Sequence, residues 1–204
     1  MRILRHIAFV LVAFLPLGLA AQPLPALYDV QGVAADDVLN IRAEPSARAA
    51  IIGRLAPDAR GIEVVAHNVA GTWGQINTGE RSGWVSLRYM ALRGVHIDHY
   101  NLPVGLRCFG TEPFWSLENT DGAWSYRTPE MTRDGLEIRV AQDTGIPEDL
   151  RRMVQFNGLG GPATGFIYPA ECNDGMSDRA YGLAIGVMMS PSAPLLSGCC
   201  SLTR

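Results

Sequence analysis

The chain has 204 residues, 48% of them apolar and 18% charged, with a formal net charge of −3. That apolar share is enough to build a globular core, and the acidic balance excludes the basic footprint of a nucleic-acid binder. Every basic residue apart from His is Arg, and no basic amphipathic stretch marks a helix that would lie on a membrane surface.

The chain opens with Arg2 and Arg5, then an apolar run from Ile7 to Leu19 interrupted only by Pro16 and Gly18, then Leu19-Ala20-Ala21. A short positive start, an apolar stretch and small residues at its end are the layout of a secretory signal peptide. The run is shorter than the roughly 20 residues that a spanning helix needs, and no Cys stands at its end to take a lipid. Residues 1–21 are therefore expected to be cleaved after Ala20 or Ala21. Losing Arg2 and Arg5 takes the net charge from −3 to −5. The mature protein is expected in the periplasm or outside the cell, without stable membrane insertion. The 22 Gly and 13 Pro of the full chain, with few long helical patterns, predict a mostly β protein rich in turns.

Residues 27–91 read as one small domain. Strands are expected over 28–33, 38–42, 50–55, 62–68, 72–77 and 81–86. Glu44-Pro45-Ser46 is a turn signal, and Thr78 to Gly83 joins the last two strands as a tight hairpin. Six short strands suit a partly open small barrel, with Leu39, Ile41, Ile52, Leu55, Ile76 and Val85 as its core. Trp73 and Trp84 fit either an aromatic wall for a ligand or half-buried packing. Asn40 and Arg42 fit either ligand contact or support of the turn before Pro45.

The ordered set Leu39-Asn40-Ile41-Arg42, Glu44-Pro45-Ser46, Ile52-Gly53, Leu55, Trp73, Ile76, Gly83-Trp84-Val85 and Tyr89 resembles a bacterial SH3 (SH3b) domain. The start Ala26-Leu27-Tyr28-Asp29 is also similar to the SH3 domains that bind Pro-rich peptides, but the rest of the pattern fits the bacterial type. The resemblance implies recognition of peptidoglycan, its stem peptides or an envelope protein, with Asn40, Arg42, Trp73, Trp84 and Tyr89 as the ligand-facing candidates.

Residues 92–103 read as a polar connector. His96, Asp98 and His99 could hold a metal, but they lack further ligands in the sequence, so the expectation is a plain surface and no metal or other cofactor.

Residues 104–204 are expected to form a disulfide-stapled β-barrel or sandwich with at most one short helix. Asn119-Thr120-Asp121-Gly122 is a strong hairpin signal between strands over 114–118 and 123–127. A further strand is expected over 136–141, and a final hairpin from strands over 180–189 and 194–202. Pro147 to Gln155 is the one helical pattern, with Pro147 at its start and Glu148 and Asp149 in its first turn. Cys108, Cys172, Cys199 and Cys200 are an even set in an exported chain, which predicts two disulfides. A Cys199–Cys200 bond would be a strained vicinal ring. Each should therefore reach back to Cys108 or Cys172, in an order the sequence leaves open.

Two islands stand out here: Cys108-Phe109-Gly110-Thr111-Glu112-Pro113-Phe114-Trp115, and Cys172-Asn173-Asp174-Gly175-Met176-Ser177-Asp178-Arg179 with Tyr181 and Gly198-Cys199-Cys200. Together they resemble a family of uncharacterised bacterial envelope proteins, which implies a fold and no reaction. Glu112, Trp115, Asp174, Ser177, Asp178 and Arg179 are the candidate site residues. No His follows His99, so Ser177 lacks a general base. The expected role of Asp174 and Ser177 is to cap a tight loop, with Arg179 paired to a carboxylate such as Glu112.

The leading expectation is an exported, non-catalytic envelope protein. The competing readings are a cell-wall hydrolase, or an accessory or inhibitor of one. A hydrolase would need a His after a free Cys, or several His around zinc. The inhibitor reading rests on the analogy with other small exported barrels.

Overall fold

The computed structural model describes residues 23–202. The expected signal peptide lies outside them. The described chain is mostly β. Its only helical element is a 3-10 turn at Leu87–Tyr89, and no helix among the described residues is long and apolar enough to cross a membrane.

The N-terminal part holds strands β1 (Ala26–Val30), β2 (Leu39–Arg42), β3 (Ile51–Leu55), β4 (Ile62–Val64), β5 (Ala66–His67), β6 (Trp73–Thr78), β7 (Arg81–Ser86) and β8 (Met90–Arg93). They form two antiparallel sheets, in the orders β4-β1-β8 and β3-β2-β7-β6-β5. The strand expected over 62–68 is broken at Val65. Its first half pairs with β1 and its second with β6, so this one segment turns the corner between the sheets. Leu39, Ile41, Ile76 and Val85 are buried in the shared core, and Ile52 and Leu55 pack against it. β8 has no counterpart among the expected strands, and the boundary expected at Ala91 runs through it.

The C-terminal part is an eight-stranded antiparallel barrel in up-and-down order. Its strands are β9 (Leu106–Thr111), β10 (Phe114–Thr120), β11 (Ala123–Arg127), β12 (Thr132–Gln142), β13 (Arg152–Asn157), β14 (Ala163–Cys172), β15 (Tyr181–Met188) and β16 (Leu196–Leu202). β16 pairs with β9 to close it. Alternate residues point inward, and large side chains such as Trp115, Trp124, Tyr126 and Phe156 fill the interior, as expected for a barrel of this strand number. Asp121 and Gly122 take left-handed φ values of 51° and 84° at the β10–β11 hairpin, the turn that the sequence signals.

The expected helix at Pro147 to Gln155 is absent. Glu148 has φ 63°, a conformation that a right-handed helix excludes. The Asp149 carboxylate accepts from the Arg151 amide at 2.9 Å, a local bond that competes with helix. From Arg152 onward, Val154 and Phe156 alternate into the core as part of β13.

The expected connector does not behave as a free linker. Leu102 is completely buried in the barrel's core cluster, with Val95 and Tyr100 packed against it. Asp98 accepts from the amides of Tyr100 (2.9 Å) and Leu102 (3.0 Å) and from Asn119 Nδ2 (3.0 Å). Asn119 is itself buried, so this network fastens one end of the barrel. The Asp98 carboxylate is thereby occupied. Among the described residues no group of three or more His, Cys, Asp or Glu is placed to hold a metal.

β1 lies between the two parts. Tyr28 and Val30 face the N-terminal core, while Leu27 on the opposite face joins the barrel's.

Candidate functional site

The two sequence islands of the second half meet at one cleft on the outside of the barrel. Gly110, Thr111, Glu112 and Phe114 come from the first island. Cys172 to Met176 come from the second, and Ser197, Gly198 and Cys199 from the last strand. The cleft has a volume of about 880 Å³, within the usual range for ligand pockets. Phe109 and Tyr168 line it as well.

Alternation along β16 creates this convergence. Cys200 faces inward and bonds Cys108, directly opposite it in the β9–β16 register. Cys199 faces outward and bonds Cys172, which anchors the loop after β14 beside the cleft. Gly198 lets β16 approach β9 closely, since a β-carbon there would lie 2.0 Å from the Phe109 carbonyl oxygen.

The loop 173–178 is fixed by its own side chains. Asp174 Oδ1 accepts from the amides of Met176 (3.0 Å) and Ser177 (2.8 Å), and Ser177 Oγ donates to Asp174 Oδ2 at 2.9 Å. Asn173 Nδ2 donates to the carbonyls of Ser177 and Arg179, both at 3.0 Å. Thr111 Oγ1 donates to the Asp174 carbonyl at 2.9 Å, which joins the two islands. Burial alone would raise the Asp174 carboxyl. The amides of Met176 and Ser177 and the hydroxyls of Ser177 and Tyr181 outweigh it and hold the group below its ordinary value. This is the capping role expected of Asp174 and Ser177.

Other candidates land elsewhere. Trp115 is inside the barrel, stacked on Tyr126 at 6.4 Å, and its Nε1 has no hydrogen-bond partner among the described residues. Glu112 is exposed at the cleft's rim. Arg179 does not pair with Glu112. It turns to the β6–β7 hairpin, donating from Nε to the Gly79 carbonyl (2.7 Å) and from the guanidinium to Glu80 (3.1 Å). The backbone of Asp178 bridges to β7 next to it, with Ser82 N donating to Asp178 O (2.9 Å) and Asp178 N to Glu80 O (2.8 Å). The second island thus faces the cleft with one end and holds the N-terminal part with the other.

Sequence reasoning missed Glu63 at the same junction. Its carboxylate accepts from the Leu202 amide at 2.8 Å. Burial pushes the group up to about 8, opposed by that amide. Glu63, Arg107, Asp174, Arg179 and Tyr181 border one polar crevice of about 280 Å³ between the two parts. Tyr168 was missed too. Its signal was available, since Phe166 and Tyr168 alternate with Gly165 and Ile167 along β14.

The N-terminal part carries a second cleft, of about 550 Å³. Asn40, Arg42, Trp73 and Tyr89 line it together, with Arg88 and Asp37. Arg42 also donates to the Ala49 carbonyl at 2.9 Å, which braces the turn after Pro45. Trp84 stands next to this group, paired with Arg42 across β2–β7. It is half-buried on the outward face of β7, because Gly83 and Val85 take the inward positions.

The sequence matches no protein-family model and no curated protein, and no solved structure matches the chain.

Proposed function

We propose that this chain is an exported, non-catalytic envelope protein whose N-terminal part binds peptidoglycan through its stem peptides. The observation that supports this most is the meeting of Asn40, Arg42, Trp73 and Tyr89 at one cleft. Aromatic rings cover alkyl or sugar surface at little entropic cost. Arg42 and Arg88 give that cleft a net positive lining beside Asp37, which suits a ligand with free carboxylates. The bacterial SH3 resemblance of residues 27–91 points the same way. Export rests on the signal-like residues 1–21, and the two disulfides fit an oxidising compartment. The non-catalytic reading rests on the sequence, which has no His after His99, and on Ser177, whose hydroxyl is engaged with Asp174.

The test is co-sedimentation of the purified protein with isolated sacculi. Wild type should sediment with them, and Trp73→Ala should not, while both unfold cooperatively. Lack of wild-type binding would remove the targeting reading. Release of soluble muropeptides would make the protein a hydrolase, and inhibition of lysozyme would favour the inhibitor reading.

A further inference from the structure

The barrel cleft presents apolar side chains to solvent on a rigid frame. Phe114 is 53% exposed and Met176 68% exposed. Neither sits on a loose segment. Phe114 opens β10 in register with Thr111, and Met176 sits in the loop that Asp174, Asn173 and the Cys172–Cys199 bond hold in place. Tyr168 extends the apolar wall and stacks on Phe166 at 5.6 Å, with an interplanar angle of 21°. Large exposed apolar groups that cluster on a preorganised surface mark a binding site. Met adds a side chain that adapts to varied partners.

Charge selects among ligands. The ionisable side chains that line the cleft are Glu112, Asp174 and Tyr168; none is basic. Asp174 is committed to its own loop. Glu112 is the exposed carboxylate, and it forms no ion pair among the described residues. The cleft therefore offers one carboxylate beside aromatic faces, the combination that attracts a cation lying on apolar surface, as Arg107 already does over Phe109 at 5.0 Å.

We propose that this cleft is a second binding site, separate from the N-terminal one, for a peptide segment carrying a basic side chain next to an apolar one. The apolar side chain lies between Phe114, Tyr168 and Met176, and the basic group meets Glu112. A neutral sugar would use the same rings but would gain less from the single carboxylate.

The test is titration of the disulfide-bonded protein, followed by backbone amide chemical shifts. The probes are acetyl-Arg-Phe-amide, acetyl-Glu-Phe-amide and chitotetraose. The Arg probe should give saturable shifts at Thr111, Gly175 and Gly198 and bind better than both others. Glu112→Gln should weaken it about fivefold, the scale of one exposed charge pair. Phe114→Ala should weaken it as well, and both variants should still unfold cooperatively, with the midpoint of Glu112→Gln unchanged because Glu112 is exposed. Equal binding of the Arg and Glu probes, preference for chitotetraose, shifts confined to other residues, or no saturation by about 10 mM would each overturn the proposal. The N-terminal reading stands or falls separately, on Trp73 and sacculi.

Discussion

Cys199 and Cys200 are neighbours in the chain and face opposite sides of the barrel wall. Both are buried, but Cys200 crosses inside the barrel to Cys108 on the adjacent strand, while Cys199 crosses on the outer side of the wall to Cys172. Strand alternation alone forbids their joining each other, and each bridge pins a different layer.

The two bridges should differ in worth. They close loops with sequence separations of 92 and 27 residues. Loop-closure entropy assigns about 4–5 kcal/mol to the first and about 3–4 kcal/mol to the second. Denaturant unfolding of Cys108→Ala/Cys200→Ala should therefore show the larger loss relative to Cys172→Ala/Cys199→Ala. Thiol labelling of unreduced, denatured wild type should find no free thiol.

Glu63 makes stability depend on pH. Its folded value of about 8 lies above the ordinary 4.5, so the folded state holds the proton more tightly than the unfolded state. The resulting stabilisation is complete below about pH 4.5 and is lost as pH rises to about 8. Glu63→Gln should change little at pH 4 and should raise stability at pH 9, because only the wild type must then hold a charged carboxylate at this site. Urea midpoints of both proteins at the two pH values check this; a variant that is less stable than wild type at pH 9 contradicts it.

Two barrel glycines should respond differently to one methyl group. At Gly198 the new carbon meets the Phe109 carbonyl at 2.0 Å, whereas at Gly186 the nearest atoms are Leu195 carbons at 3.9 Å. Gly198→Ala should cost about 2–4 kcal/mol, because two strands must separate. Gly186→Ala should stay within about 0.5 kcal/mol of wild type. Thermal unfolding of the pair measures the contrast.

Two tryptophans should also separate. Trp124 is 1% exposed and packs on Phe156 at 5.4 Å, so Trp124→Ala should cost about 3–5 kcal/mol. Trp84 stands half-buried on an outer face, and Trp84→Ala should cost clearly less. Equal losses would place Trp84 in the core after all.

The sequence exposed what depends on neighbours and hid what depends on closure. The Asp121-Gly122 turn, the alternation of Leu39 and Ile41, and the capping by Asp174 are local and were legible. β13 and β14 were not, because their partners are settled only once the barrel's order exists. Leu102 looked like part of a polar connector because the feature that buries it, the barrel's open end, is distant in the chain. The two islands were visible as islands. Their meeting at one cleft was not, since it needs the β9–β16 register, which also decides which cysteine bonds which. Sequence proximity suggests an acid from its own half for Arg179, yet its partner, Glu80, comes from the other.

The last strand completes everything at once. Residues 196–202 close the barrel against β9, supply Cys199 and Cys200, and bring the Leu202 amide to Glu63. β9 is therefore synthesised well before the strand that covers its second edge. A chain interrupted before residue 196 would show two bare strand edges, on β9 and β15, and two widowed thiols, Cys108 and Cys172. Bare edges recruit other chains, and thiolates exchange with foreign disulfides. Without this strand the barrel thus carries both an aggregation hazard and reactive sulfur, and closure against β9 removes the two together.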